Sequence, residues 1–284
     1  MSRQTRNKGV ILNLDWIDSV QMNRSAIERR CSTMTKRRSI KKDWQAAWLL
    51  KSLSCIDLTT LSSDDTHERV RRLCAKARQP LRPELAEGLG LKGIKTRVAA
   101  VCVYHSFVKT AVKALQNSKI PVAAVSTGFP HGLNSMPRRV EEISDSIDDG
   151  AKEIDIVITR AHVFSKNWQA LYDEISAFRE ASGTAHLKTI LGTGELGTLR
   201  NVAKASLVCM MAGADFIKTS TGKEGVNATL PVSLVMLRMI REYFENTGYS
   251  VGFKPAGGIR TARQSLEWLI MIKEELGREW MEPK

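Results

Sequence analysis

The sequence predicts an α/β barrel of parallel strands, and three observations carry that expectation. From about residue 55 onward, short β-branched runs alternate with amphipathic stretches long enough to cross over between parallel strands. Several of the strand runs are continuously apolar, as expected where helices cover the outside of a sheet and side chains fill its interior. Polar residues recur at the carboxyl ends of many runs, where barrels of this kind place their sites. An open doubly wound sheet is the competing arrangement, but no Gly-x-Gly-x-x-Gly follows the first strand. A chain of 284 residues with 43% hydrophobic content fits one barrel of roughly 250 residues or two small domains, and no segment reads as an interdomain linker.

The elements follow in order. Residues 1–42 form a basic leader, with eleven Lys/Arg against three Asp/Glu, so +8 of the formal +13 charge lies there. We read it as a solvated, partly flexible segment; contact with RNA or an acidic partner through counterion release is the alternative. Arg-rich starts also occur in transit peptides, but Asp15, Asp18 and Glu28 argue against one. Residues 43–284 are the barrel domain. Asp43 is placed to cap a helix whose Trp44, Trp48, Leu49 and Leu50 form an apolar face. Strands are expected at 55–60, 97–104, 120–126, 152–158, 186–191, 214–218 and 250–254, with helices near 64–78, 105–118, 136–149, 162–181, 197–212, 228–246 and 261–276.

Composition narrows the class. Cys31, Cys55, Cys74, Cys102 and Cys209 are odd in number and never form Cys-x-x-Cys, which argues against a disulfide framework or structural zinc and points to a reducing, cytoplasmic compartment. No apolar run approaches the roughly 18 residues of a membrane span, so a soluble protein is expected.

Two lysines stand out. Lys218 in Asp215-Phe-Ile-Lys-Thr-Ser-Thr-Gly-Lys-Glu224 and Lys254 in Val251-Gly-Phe-Lys-Pro-Ala-Gly-Gly-Ile-Arg260 each end a hydrophobic strand. An ammonium removed from water is costly, and two at neighbouring strand ends repel, so either can respond by becoming a neutral, nucleophilic amine. Alternation along Glu153-Ile-Asp-Ile-Val-Ile158 puts Asp155 on one face with Glu153 and Val157, away from the isoleucines. Asp155 is then either catalytic or a structural hydrogen-bonding residue. Cys55, Asp57 and Thr59 share a face likewise, as do Phe216 and Lys218; Asp57 reads equally well as an inward group or as a turn or capping residue.

Thr219-Ser-Thr-Gly-Lys223 lacks the full spacing of a Walker A loop but supplies hydroxyls, a permissive glycine and a cation that suit a small phosphate, as would the amides of Gly257 and Gly258; an ordinary glycine turn is the other reading. Gly192-Thr-Gly-Glu-Leu-Gly197 reads as a tight turn with Glu195 in a first helical turn. The five histidines, His67, His105, His131, His162 and His186, have no metal-ligand spacing and read as surface or capping residues, and Met210 and Met211 as packing residues.

Taken together, Asp57-Leu-Thr-Thr-Leu61, Val101-Cys-Val-Tyr104, Gly128-Phe-Pro-His-Gly132, Glu153-Ile-Asp-Ile-Val157, Phe216-Ile-Lys-Thr-Ser-Thr-Gly-Lys223 and Lys254-Pro-Ala-Gly-Gly258 closely resemble the deoxyribose-phosphate aldolase family, in its animal branch. The resemblance runs from about residue 43 almost to the end. It implies a TIM barrel, a class I lyase using a Schiff base in deoxyribonucleotide catabolism, a phosphorylated sugar as substrate, and neither cofactor nor metal. By that resemblance Lys218 forms the imine, Lys254 lowers its pKa and shuttles protons, and Asp155 relays protons. Asp57, Thr59 and Cys102 line the substrate cavity, while Thr221, Gly222, Lys223, Gly257 and Gly258 lie on the phosphate side. The family continues into an eighth strand, a phosphate loop and a last helix, whereas this sequence ends at Glu282-Pro-Lys284, so an incomplete barrel with open edges on strands one and seven is expected. An inactive, shortened aldolase serving as a basic RNA- or protein-interaction module is the competing function. Pro137, where the family has lysine, suits a first helical turn.

Overall fold

The computed structural model describes residues 6–37, 39–91, 93 and 96–282. Seven strands form one parallel sheet in sequential order: β1 (Asp57–Thr59), β2 (Ala100–Tyr104), β3 (Val122–Ser126), β4 (Glu153–Val157), β5 (His186–Ile190), β6 (Phe216–Lys218) and β7 (Gly252–Lys254). Each lies inside a run expected to be a strand. Helices α1 (Leu14–Ser19), α2 (Arg24–Arg37) and α3 (Lys42–Leu53) precede the sheet. Then α4 (His67–Arg78) and α5 (Pro83–Gly88) follow β1, α6 (Val108–Ala114) follows β2, and α7 (Met136–Asp148) follows β3. The remaining crossovers are α8 (Arg160–Phe164) with α9 (Trp168–Ala181), α10 (Leu199–Met211) and α11 (Leu230–Thr247); α12 (Ala262–Leu276) follows β7.

The sheet curls. Its terminal strands are not hydrogen-bonded to each other, yet the Lys254 ammonium of β7 reaches the Asp57 carboxylate of β1. Alternation along the strands separates two apolar populations. Outward residues such as Val101, Val103, Ile154, Ile156, Leu187 and Ile217 pack under the helices in the main core, while inward Cys102, Ala123 and Val125 form a small separate cluster with Leu61, Tyr104 and Phe129.

Helix starts follow local chemistry. Thr66 accepts from Arg69 N, Thr198 from Asn201 N, and Thr261 with Gln264 forms a reciprocal capping box. Pro137 does fall in the first turn of α7, where a missing N–H costs nothing. Asp43 is not a cap: α3 begins at Lys42, and Asp43 lies in its first turn, where a carboxylate favours the positive end of the helix dipole. Trp44 is 73% exposed rather than packed, but Trp48 and Leu49 do join Leu266, Leu269 and Met281, so that α3 and α12 meet beside the two sheet edges. Trp280 Nε1 donates to Val251 O at 2.9 Å on the same side.

Residues 6–37, expected in a solvated leader, instead lie on the body wherever they are described. Asn7 is buried and donates to Met210 O and Ala214 O, and Arg6 meets Asp215 at 3.1 Å. Ile17, Val20, Ile27, Cys31 and Met34 enter the main core. Their spacing, with Ile27, Cys31 and Met34 at i, i+4 and i+7, supplies one apolar helical face beneath the charges. All five cysteines are free thiols, and among the described residues no helix is long and apolar enough to cross a membrane.

Beneath the loops that follow β3 and β4, Arg139 and Glu174 form a buried ion pair at 2.5 Å; Arg139 also donates to Val157 O, and Glu174 accepts from Thr159 N. Breaking such a pair strands a charge, so Glu174→Ala should lower unfolding free energy by about 3–5 kcal/mol. Chemical denaturation checks this; a loss under 1 kcal/mol would contradict it.

Candidate active site

Parallel register brings the charged groups together. Asp155 pairs with Lys188 across β4 and β5, and Lys218 with Lys254 across β6 and β7. All four side chains point inward. Asp155 is fully buried, and its Oδ2 accepts from Lys218 Nζ at 2.7 Å and from Lys254 Nζ at 2.8 Å. Its Oδ1 is buried without a hydrogen-bond partner, 3.8 Å from Lys188 Nζ. Lys188 Nζ donates to Asp57 Oδ2 at 2.7 Å and to Glu153 Oε2 at 2.5 Å, and lies 5.5 Å from the centre of the Phe216 ring. That ring lies against Gly252, where a Cβ would stand 2.1 Å from Phe216 Cε1. Three lysines and three carboxylates thus interlock in a largely buried interior.

The three lysines are electrostatically unequal. Burial lowers the Lys218 pKa from the ordinary lysine value, Asp155 opposes the shift and the Lys254 charge adds to it. Burial works against the Lys254 charge as well, but Asp155 and Asp57 outweigh it and hold its pKa above the usual value. Lys188 is likewise disfavoured by burial and held well above the usual value by Asp57, Glu153 and Asp155. Among the three, Lys218 is therefore the one driven toward the neutral amine, the form that attacks a carbonyl. Burial also disfavours the Asp155 and Asp57 carboxylates, but the lysines win and keep both below the usual carboxylate range; Glu153 follows the same pattern with Lys188.

A pH dependence of stability follows. The three carboxylates have depressed folded pKa values, so their contribution is fully present above about pH 5 and is lost as pH falls through the acid range. Lys188 and Lys254 are raised, so theirs is present below about pH 10 and lost as pH rises further. Lys218 has the opposite sign: its buried ammonium is a penalty that a rise in pH relieves. Thermal unfolding should show Tm falling below pH 4, with a shallower fall in Lys188→Met, where Asp57 and Glu153 lose a principal cation. Equal slopes in both proteins would contradict this.

A family model, DeoC/LacD family aldolase, matches residues 51–274. The chain belongs to this family. It is 60% identical over 280 residues to the deoxyribose-phosphate aldolase of Mus musculus, covering 97% of this chain and 87% of that one. It is 57% identical over 282 residues to the deoxyribose-phosphate aldolase of Homo sapiens, covering 98% and 88%. The solved tetrameric deoxyribose phosphate aldolase of Aeropyrum pernix shares the fold, with a TM-score of 0.63 at 21% identity over 78% of this chain and 84% of that one.

In this DeoC/LacD chain the other residues singled out in the sequence fall at different depths and on different strands and loops. Asp57 faces inward and is not a cap; the α4 cap is Thr66. Thr59 lies exposed at the end of β1, its hydroxyl donating to Asp57 O. Cys102 is fully buried in the apolar wall, and burial pushes its thiol pKa up. On the opposite side, Thr221 is buried, Gly222 and Lys223 are exposed, and Gly257 and Gly258 are left-handed at φ +84° and +87°. A Cβ on Gly222 would stand 3.8 Å from Gly257 Cα, so the two segments expected on the phosphate side are adjacent. Gly257 has no room for a side chain, because a Cβ would meet Asn227 at 2.5 Å. Cys55, which shares the parity of Asp57, instead lies exposed beyond the strand.

Position at a strand end does not reveal Lys188, and strand parity places Glu153 beside Asp155 without giving it a role. A signal is present: Lys188 lies in the middle of His186-Leu-Lys-Thr-Ile190 and has the parity of Ile190, which meets Lys218 in register. Glu153 is Asp155's neighbour on the same face. His186, 3.8 Å from Glu153 Oε1 and partly exposed, extends the network toward the amino-terminal end of the sheet.

Proposed function

We propose that this chain is a cytoplasmic deoxyribose-phosphate aldolase, cleaving 2-deoxy-D-ribose 5-phosphate reversibly into D-glyceraldehyde 3-phosphate and acetaldehyde through a Schiff base on Lys218. The observation that carries the reading is the Lys218–Asp155–Lys254 triad, in which one buried amine is driven toward neutrality beside a carboxylate and a second, charged lysine. High identity to deoxyribose-phosphate aldolases across nearly the whole chain supports the substrate. The free thiols fit a reducing compartment.

The chemistry follows from the roles. Neutral Lys218 Nζ adds to the C1 aldehyde of the open-chain sugar; loss of water gives an imine, and a proton taken up on its nitrogen gives the iminium ion. A base removes the proton of the C3 hydroxyl. The C2–C3 bonding pair then flows into the iminium, leaving an enamine on Lys218 and releasing glyceraldehyde 3-phosphate. Protonation of the enamine at C2 and hydrolysis of the imine free acetaldehyde. Asp155 Oδ1, buried and without a partner, is suited to accept from the C3 hydroxyl, and charged Lys254 can return a proton to C2. Asp57 and Lys188 hold Lys254 and Asp155 in place. Cys102, Tyr104 and Phe129 give an apolar wall, opposite the loops that carry Thr221, Gly222, Lys223, Gly257 and Gly258, which would take the phosphate.

Two of the described leader arginines are engaged with the body, Arg6 with Asp215 and Arg30 with Glu274 and Glu275, and these contacts give the interaction-module reading no support. Incubating the chain with deoxyribose 5-phosphate and measuring both aldehyde products tests the proposal. Equimolar acetaldehyde and glyceraldehyde 3-phosphate are expected; a folded chain that releases neither would overturn it.

A further inference from the structure

Two backbone amides on the phosphate side are already engaged. Thr221 N lies 3.1 and 3.0 Å from the two carboxylate oxygens of Glu224, and Gly222 N lies 3.2 Å from Oε2. With Gly222 at φ +85°, these N–H groups converge on one anion as a small nest. A carboxylate and a phosphate use such donors by the same chemistry, so one excludes the other.

A second receiver for the carboxylate stands beside the nest. Arg160, the first residue of α8 after β4, pairs through Nε with Glu195 Oε2 at 3.0 Å, while its Nη1 is buried with no hydrogen-bond partner. An unpaired buried N–H of a guanidinium is costly. Arg160 Nη1 and Glu224 Oε1 flank Gly192: a Cβ there would stand 3.0 Å from the first and 3.5 Å from the second. The missing side chain at Gly192 leaves the path between them open.

We propose that Glu224 is the residue that sets specificity for a phosphorylated substrate, by moving between two partners. It caps the Thr221 and Gly222 amides until a phosphate takes them, and then turns across Gly192 to pair with Arg160 Nη1. A phosphate dianion gains both amides and gives the displaced carboxylate a cation. An uncharged sugar hydroxyl gains too little to displace Glu224, so the discrimination comes partly from a contact the wrong substrate cannot break. This rests on the reading that the substrate phosphate binds at this loop.

The test is a double-mutant cycle on the full chain, with inorganic phosphate as the titrant in calorimetry and kcat/KM compared for deoxyribose 5-phosphate and deoxyribose. Glu224→Gln, which keeps an oxygen for the amides but no charge to displace, should tighten inorganic phosphate binding about tenfold. Arg160→Met should weaken it about tenfold in the native background and less than twofold in Glu224→Gln, with the kcat/KM ratio moving in step. Should Arg160→Met not fold, Arg160→Gln serves, since it keeps a polar group beside Glu195 but carries no charge to receive Glu224. Equal losses in both backgrounds would overturn the switch, as would no tightening in Glu224→Gln. Lys223→Met isolates the underlying reading: if it leaves phosphate affinity and substrate preference untouched, the phosphate does not bind here at all.

Discussion

Lys218→Met is expected to reduce kcat/KM for deoxyribose 5-phosphate on the order of 10⁴- to 10⁶-fold, the scale seen when a covalent nucleophile is removed. The fold should tolerate the change, because methionine approximates the lysine stem and Asp155 retains Lys254 at 2.8 Å. Lys218→Arg should be as inactive, since a guanidinium holds its proton and cannot add to an aldehyde. Steady-state kinetics with a thermal melt separate lost chemistry from lost folding. Activity within tenfold of the native chain, in a protein that melts normally, would remove Lys218 from the reaction.

Asp155→Asn should have the second-largest effect, and of a different kind. The substitution keeps the shape but removes the carboxylate that, among the described residues, touches both Lys218 and Lys254. Stability should fall by about 3 kcal/mol, because buried ammonium groups lose a counterion. The rate constant kcat should drop about 10²- to 10⁴-fold, the usual contribution of a positioned acid–base group. Asp155 opposes the depression of the Lys218 pKa, so without it that pKa falls further and the acid limb of the kcat/KM profile moves to lower pH. The amine should still form an imine. A profile that stays in place, or moves to higher pH, would contradict this account of what sets the lysine's charge.

Much of this architecture is legible in the sequence because the signals are local. A β-branched run such as Glu153-Ile-Asp-Ile-Val157 announces a strand, and its parity separates isoleucines under the helices from Asp155 among the lysines. What escapes is what depends on several segments at once. Lys188 lies mid-strand and becomes intelligible only when β1 supplies Asp57 and β4 supplies Glu153. Charge counting conceals the apolar face of Ile27, Cys31 and Met34 among arginines, so the packing of residues 6–37 is not anticipated. Glu224, Arg160 and Gly192 follow three different strands, β6, β4 and β5, and no spacing in one segment connects them. The closure of the interior by a side-chain pair, Lys254 to Asp57, rather than by backbone pairing between β7 and β1, is also a property of the curled sheet alone.

The most direct test of the central claim is borohydride reduction of the chain in the presence of acetaldehyde, followed by peptide mapping. Lys218 should carry one ethyl group, with Lys188 and Lys254 unmodified because their raised pKa values keep them protonated. An adduct on either of those lysines, or no adduct on the folded chain, would contradict the account.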